Sequence, residues 1–514
     1  MNLLKSYAQM YREEFKGYNL QRFLNDLLAG LTVTAVALPL ALAFGVSCGA
    51  SAAAGLVTAI IAGIIISLLS GASFQISGPT GAMSAVLITI VMKFRLDGVF
   101  IVTFLAGIIL VLAAVFRLGR IVSMIPRPVV IGFTSGIAII IALGQIDNFF
   151  GTSSVGDSAV AKLMSYFTLG FKPDIYSVAA GAIVIAVMLV WPKKWNAKIP
   201  SSLVGIILST IVCSIFGFDV ATVGDIPKSL FLAERLSLSS VDFSRIAEYI
   251  SPAVSIAALA MIESLLCGAS ASRMKNEKFD ADKELIAQGV GNMIIPFFGG
   301  IPATAAIART SVAIKSGCQT RICGIVHALG LLAAMFILGP VMSSLPLSSL
   351  AGVLMVTAWR MNEWKEIKYI FSHKFRGAIC KYLVTMTATV IFDLTAAIVI
   401  GIVFSAAVFV LRCMELELKC TSGQEKAKIC VSGSVFFINL GKLEKTVDDM
   451  LSGNESLEID LSGVNVIDVS AAEYFLEITE SRKDVTICGA GKKVKNMLER
   501  AGVKTLRDKS VAVK

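Results

Sequence analysis

A spanning helix needs about 20 largely apolar residues, and this chain is built from runs of that kind. They lie at roughly 27–47, 51–70, 98–116, 129–150, 175–191, 200–217, 252–268, 284–299, 322–341, 345–358, 377–391 and 394–411. Two further runs, near 79–92 and 303–314, are apolar but too short, and each is opened by Pro and small residues. Counting them gives about fourteen membrane segments. Composition agrees. The 514 residues are 56% hydrophobic and only 16% charged, whereas a soluble domain carries about 25% charged residues. That excludes a soluble enzyme, a nucleic-acid binder and a disordered scaffold.

Loop charge orients the bundle. Arg117, Arg120 and Arg127 share one loop, and Lys193, Lys194 and Lys198 another. Arg273, Lys275, Lys278 and Lys283 follow, then Arg360, Lys365, Lys368, Lys374 and Arg376. The alternate loops, around Asp157 and from Asp219 to Glu248, are not enriched in base. With fourteen crossings and a cytoplasmic N-terminus, the basic loops fall on the cytoplasmic side. Only Lys93 and Arg95 dissent. The formal charge of +10 then reflects basic loops rather than polyanion binding. The first residues are amphipathic and lack a signal-peptide core, so residues 1–19 are expected to stay in the cytoplasm.

Composition shifts after Arg412. Strand-like runs lie at Ala427–Ser432, Val435–Asn439, Leu457–Leu461 and Val485–Cys488, with helical patterns near 442–452, 470–482 and 491–502. About 100 residues suffice for one small α/β domain, expected at 415–514 behind a membrane domain at 20–412. The ten Cys are scattered, with no CxxC, and read as small hydrophobes. His327 and His373 are the only histidines. No P-loop, GxSxG, metal-ligand cluster or paired catalytic carboxylates are found, so neither an enzyme nor a cofactor is expected.

The two broken segments carry the functional signal. One reads Gln75-Ile76-Ser77-Gly78-Pro79-Thr80-Gly81-Ala82; the other runs from Gly299 through Pro302 and Thr304 to Arg309 and Thr310. Each falls third in its half of the membrane domain. Paired, short, Gly/Pro-interrupted segments at matching positions point to an inverted-repeat transporter. A helix that starts inside the membrane leaves about four N–H groups unpaired and carries roughly half a positive charge at that end. Two such starts facing each other make an anion site without a buried base. Small residues at Gly81, Ala82, Ala305, Ala306 and Ala308 let a solute approach the backbone, and Thr80 adds a hydroxyl.

Pro252–Cys267 is apolar apart from Glu263 and two serines. A carboxylate near the bilayer centre costs about 3 kcal/mol on insertion scales and is a functional candidate by default. Glu263 can bind a proton or a cation, pair with a buried base such as Arg309, or sit near enough to the interface to be hydrated. Asp393 divides a long apolar stretch and reads as a solvated turn.

These residues resemble the SulP family, the sulfate-permease-like anion transporters, over nearly the whole chain. The motif residues are Ser77-Gly78-Pro79-Thr80-Gly81, Glu263-Ser264-Leu265-Leu266 and Gly299-Gly300-Ile301-Pro302-Ala303-Thr304. Ala308-Arg309-Thr310 and Gly324-Ile325-Val326-His327-Ala328 continue the match. The resemblance implies a polytopic all-α membrane protein with a seven-plus-seven inverted repeat and a C-terminal STAS domain. It implies a core (segments 1–4 and 8–11) moving against a gate (segments 5–7 and 12–14), within a homodimer. The anion then sits at Thr80, Gly81, Ala306, Ile307 and Ala308, with Arg309 just inside the second short helix. Glu263 maps to the position that binds H⁺ or Na⁺ in coupled members, and Cys267 to a position often Ser or Thr. Leu40 stands where relatives often carry Gln, and Ser272 where many carry Asp. In the STAS-like part, Val469 replaces a phosphorylatable Ser, and Ser470 is expected to cap a helix.

The expected function is secondary active transport of sulfate, bicarbonate or a dicarboxylate, coupled to H⁺ or Na⁺, in a bacterial inner membrane. Its partners are the anion, the coupling ion, the bilayer and a second copy, with no nucleic acid. The alternatives are an uncoupled exchanger or channel, a STAS-based membrane sensor, and a nucleobase carrier of the same fold.

Overall fold

The computed structural model describes residues 3–119, 126–156, 159–192, 199–237, 245–392, 394–413, 416–422, 426–452, 456–482, 484–503 and 506–507. It forms two compact units, Met1–Ile402 and Val403–Lys514. Asp393 lies outside the described residues, as do Arg120, Asp157 and the lysines at 193, 194 and 198.

All fourteen apolar runs form helices. In chain order the elements are α1 (Leu3–Glu14), α2 (Leu20–Ser47), α3 (Ala52–Leu69), β1 (Ser77–Gly78), α4 (Gly81–Val115), α5 (Arg127–Gly144), α6 (Ile146–Phe150), α7 (Ala159–Leu169), α8 (Ile175–Val190) and α9 (Ser201–Phe216). Then come α10 (Ile246–Lys275), α11 (Ala281–Ile294), a 3₁₀ turn (Ile295–Phe298), β2 (Thr304–Ala305), α12 (Ile307–Lys315), α13 (Ile322–Ser343), α14 (Leu347–Met361), α15 (Trp364–Ser372), α16 (Arg376–Ile391) and α17 (Leu394–Cys413). Six stretches among the described residues are long and apolar enough to cross a membrane: α2, α3, α4, the 127–150 stretch, α10 and α13. Helix α4 is two helices in one. Arg95 breaks it at φ 59° and ψ −171°, leaving a short piece at 81–94 and a longer one at 96–115.

Local sequence explains the starts. Asn19 accepts from Arg22 N at 3.0 Å, Ser51 from Ala54 N at 3.1 Å and Asp280 from Lys283 N at 3.1 Å. Each supplies a partner for an N–H that the helix cannot satisfy itself. Glycine sets the crossings. A Cβ on Gly55 would lie 2.0 Å from Ala41 O, so α2 and α3 touch backbone to backbone. A Cβ on Gly289 would meet Gly107 O at 2.7 Å, which draws α11 against the long part of α4. Close backbone approach of this kind is how helices pack where lipid supplies no hydrophobic drive.

The packing separates two groups of helices. Helices α2, α3 and α4 interleave with α10, α11, α12 and α13; α5 packs on α16, and α8, α9 and α14 pack together. Within the first group, α3 pairs with α13 and α4 with α11, and likewise α2 with α13 and α4 with α10.

The second unit is an α/β domain. Its sheet has the order β3–β4–β5–β6–β7, from Leu416–Ser422, Lys426–Val435, Ser456–Ile467, Val485–Cys488 and Leu506–Arg507. Only the β3–β4 pair is antiparallel. Helices α18 (Phe437–Leu451), α19 (Val469–Ser481) and α20 (Lys492–Ala501) share a core with it around Ile429, Ile459, Leu461, Phe475 and Leu498. Two expectations are corrected. Val435–Asn439 is not a strand of its own: β4 runs unbroken to Val435, and Asn439 turns the chain into α18 by accepting from Phe436 N at 2.9 Å. Ser470 is not the cap of α19. Asp468 takes that place, accepting from Ala471 N at 2.9 Å and from Phe437 N, at the start of α18, at 2.8 Å. A carboxylate reaches two helix starts where a serine hydroxyl would serve one.

Candidate functional site

The two broken segments meet. Ser77 pairs with Ala305 and Gly78 with Thr304, antiparallel, across more than 200 residues of chain. Directly after each two-residue strand a short helix begins, at Gly81 and at Ile307. Non-helical backbone at membrane depth must find all its partners inside the protein, and here the partners can be named. Ala306 N donates to Ile76 O at 2.9 Å, and Ile76 N to Thr310 Oγ1 at 3.1 Å. Thr58 accepts from Ile301 N at 2.7 Å and donates to Ile301 O at 3.1 Å. The Asn292 amide does the same for Ala303, at 2.8 and 2.9 Å. Ala305 N donates to Ser264 Oγ at 3.2 Å, and Gln75 Nε2 to Ser264 O at 2.7 Å.

Behind this strand pair lies a buried acid in the first turn of α11. Glu284, fully buried, accepts from Ser70 Oγ at 2.5 Å, Gly71 N at 3.2 Å and Gln288 Nε2 at 2.8 Å. Gln288 also donates to Ser77 Oγ at 2.9 Å. Sequence reasoning missed this set. Its signal was available: Glu284, Gln288 and Asn292 recur every fourth residue in a stretch of helix otherwise apolar from Glu284 on, which aligns them on one face.

Glu263 stands at the junction. Its Oε2 accepts from Thr80 Oγ1 at 2.8 Å and from Thr304 Oγ1 at 2.6 Å. Thr80 is the N-cap of α4, and Thr304 belongs to β2, so one carboxylate oxygen holds a residue from each broken segment. The Glu263 side chain is partly exposed. Thr304, legible in the sequence only as part of a motif, is therefore a member of the site.

The other expected residues divide. Thr80 and Gly81 are buried, and a Cβ on Gly81 would meet the end of Ile141. Ile307 and Ala308 are exposed and Ala306 half-buried, so the start of α12 is open. No side chain caps it, which leaves its first N–H groups free to meet a solute. Arg309 is 1% exposed and donates from Nη2 to Pro79 O at 2.9 Å. Among the described residues it forms no ion pair with Glu263; it braces the first broken segment from beneath. Cys267 points to Thr310 Oγ1 at 3.4 Å rather than into the Glu263 clasp. Leu40 is buried in the apolar core. A cavity of about 800 Å³ opens elsewhere, between α1 and the start of α11, lined by Glu14, Lys283 and Arg321 among others.

Fold and site together define a helical membrane transporter with an appended α/β domain. The model described as "Sulfate permease family" matches residues 23–385, and that described as "Mlab, STAS domain" matches residues 420–508. The chain belongs to the sulfate permease family. It is 33% identical to a putative sulfate transporter of Bacillus subtilis, YvdB, over 95% of this chain and 96% of that one. It is 32% identical to the bicarbonate transporter BicA of a Picosynechococcus strain, over 87% of this chain and 79% of that one. The solved transmembrane domain of a cyanobacterial BicA superposes with a TM-score of 0.69 at 28% identity, covering 74% of this chain and 98% of that one. The structure of SLC26A9 shares the fold, with a TM-score of 0.80 at 17% identity over 96% of this chain and 90% of that one.

Proposed function

We propose that the protein is a secondary active transporter of a small oxyanion or carboxylate, coupled to H⁺ or Na⁺ through Glu263. The observation that carries this is the shared oxygen. Thr80 and Thr304 come from opposite broken segments and both donate to Glu263 Oε2. A proton or cation arriving at that carboxylate changes its hold on both segments at once. The anion, drawn to the open start of α12 and the facing start of α4, supplies the compensating charge. Loaded with both, the site is close to neutral and can cross the low-dielectric interior. Either charge alone carries the cost of burial.

The two helix groups support a core of segments 1–4 and 8–11 and a gate of segments 5–7 and 12–14, with seven segments in each repeat. The exchanged pairing of α3 with α13 and α4 with α11 is what an inverted repeat requires. We place the domain boundary between residues 412 and 415, the basic loops and STAS domain in the cytoplasm of a bacterial cell, and two copies in the working unit.

A screen of sulfate, bicarbonate and succinate for thermal stabilisation of the purified protein tests the anion reading. A ligand that binds only the folded form raises its melting point with concentration. One of these anions is expected to do so in wild type and not in Ala308→Trp, which fills the open start of α12. No stabilisation by any of the three, at concentrations that saturate transport, contradicts the reading.

A further inference from the structure

Helix α15 carries an exposed surface away from the site of Glu263, Thr80 and Thr304 in the chain. It lies between α14 and α16, two apolar helices, and its 9 residues are about half of what a span needs, so it lies at the edge of the bilayer. Ile367 and Ile370 hold it against Ile131 of α5 and Ala378, Ile379 and Tyr382 of α16. Its remaining apolar groups are uncovered. Trp364 is 46% exposed, Phe371 42%, and Trp359 and Phe375 to either side 64% and 45%. The Trp359 and Trp364 rings lie 4.5 Å apart, and Trp364 Nε1 donates to Trp359 O at 3.0 Å. Tryptophan clusters of this kind settle at the headgroup level of a membrane.

Charge identifies the occupant. Lys365, Lys368, Lys374 and Arg376 are all exposed, and none forms an ion pair among the described residues. The two acids nearby, Glu363 and Glu366, are taken by Arg127 at 3.7 and 2.9 Å. Four free bases therefore stand beside exposed rings: two on the short helix, one in the turn after it and one at the start of α16. Apolar rings with bases on the polar side form the pattern of a helix lying in an anionic lipid surface.

We propose that α15, the turn after it and the start of α16 bind the phosphate groups of anionic phospholipids in the leaflet they face, with Lys365, Lys368, Lys374 and Arg376 as the phosphate contacts and Trp359 and Trp364 as the headgroup anchors. The proposal does not depend on which anion is carried, or on whether any is.

Brominated-tail lipids quench tryptophan on contact. With Trp191→Phe and Trp195→Phe in the full chain, the remaining fluorescence comes from Trp359 and Trp364, since the sequence has four Trp. In mixed detergent micelles, brominated phosphatidylglycerol is expected to quench at much lower mole fraction than brominated phosphatidylcholine. Each base near an anionic surface is worth about a five-fold gain, so Lys365→Gln with Lys368→Gln should cut the preference roughly 25-fold. The fourfold Gln variant should abolish it, and 0.5 M NaCl should weaken it. Equal quenching by the two lipids in the parent, or a preference that survives the fourfold variant, overturns the proposal. So does a cross-link from position 368 to a second copy with no lipid preference. If the Phe background does not fold, the melting point of the unaltered chain with each lipid reads the same contrast: phosphatidylglycerol raises it, and the fourfold variant loses that rise.

Discussion

Thr304 Oγ1 stands 2.6 Å from Glu263 Oε2, on an oxygen that Thr80 already reaches at 2.8 Å. A hydrogen bond to a charged group is worth about 1.5–3 kcal/mol. Thr304→Val keeps the shape of the side chain and removes the donor. It should weaken the response of uptake to the coupling ion by about tenfold or more, while Thr304→Ser keeps it near wild type. Half-maximal pH or sodium concentration for uptake in proteoliposomes reads the difference. Equal behaviour of Val and Ser would remove Thr304 from the site.

Asn292 satisfies both backbone groups of Ala303. In Asn292→Leu both are left buried and unpaired, at about 1–3 kcal/mol each. The variant should melt several degrees lower and lose most uptake. Asn292→Asp should recover little, because a carboxylate accepts from Ala303 N but cannot donate to Ala303 O. Thermal unfolding in detergent and initial uptake rates check both.

The α2–α3 contact leaves no room at Gly55, where a Cβ would fall 2.0 Å from Ala41 O. Backbone atoms cannot swing aside as a side-chain end can. Gly55→Ala should destabilise the membrane unit by about 1–3 kcal/mol, the usual cost of overpacking. Gly144→Ala, at the last residue of α5 where nothing lies within 4 Å, is the control in the same unit and should leave the melting point nearly unchanged. Both are read by melting in the same detergent.

In the α/β domain, Lys428 Nζ lies 2.7 Å from Glu458 Oε1 and 3.2 Å from Asp460 Oδ2. The Lys428 hydrogen bond holds the Glu458 carboxyl below its usual range, and Glu458 in turn raises Lys428. The Glu458 contribution is therefore full above the unfolded carboxyl value of about 4.3 and is lost as pH falls through the lower folded value. The Lys428 contribution is full below the unfolded amine value of about 10.4 and is lost as pH rises through the higher folded one. Lys428→Met should lower the melting point of this unit at pH 7, with the deficit shrinking as pH falls below about 4.3. Both side chains are well exposed, so the effect is small. A deficit of the same size at pH 7 and pH 3 would contradict the pairing.

Much of this was legible in the chain. The apolar runs became helices because lipid-spanning length and hydropathy leave few other solutions. Ser77–Gly81 and Gly299–Thr304 stood out because Gly and Pro interrupt the only short runs. The tethers were harder to see. Thr58 lies in an apolar helix and Gln75 in the loop before β1, and their partners, Ile301 and the Ser264 carbonyl, are backbone groups 243 and 189 residues away. The Glu284–Gln288–Asn292 stripe was readable by its spacing, but the meeting of β1 and β2 was not. No local pattern tells Ser77 that its neighbour is Ala305. Arg309 was legible as a base beside a half-helix, but its bond from Nη2 to Pro79 O, 230 residues away in the chain, was not. In the α/β domain, Val435–Asn439 has strand composition, and only the Asn439 cap turns it into a helix start.

Labelled sulfate, bicarbonate and succinate should be offered to proteoliposomes holding wild type or Glu263→Gln, with imposed pH or sodium gradients. One anion is expected to accumulate above equilibrium in wild type, driven by one of the gradients. Glu263→Gln should lose that accumulation. Gradient-driven accumulation that persists undiminished in Glu263→Gln would show that the carboxylate joining the two broken helices does not couple transport.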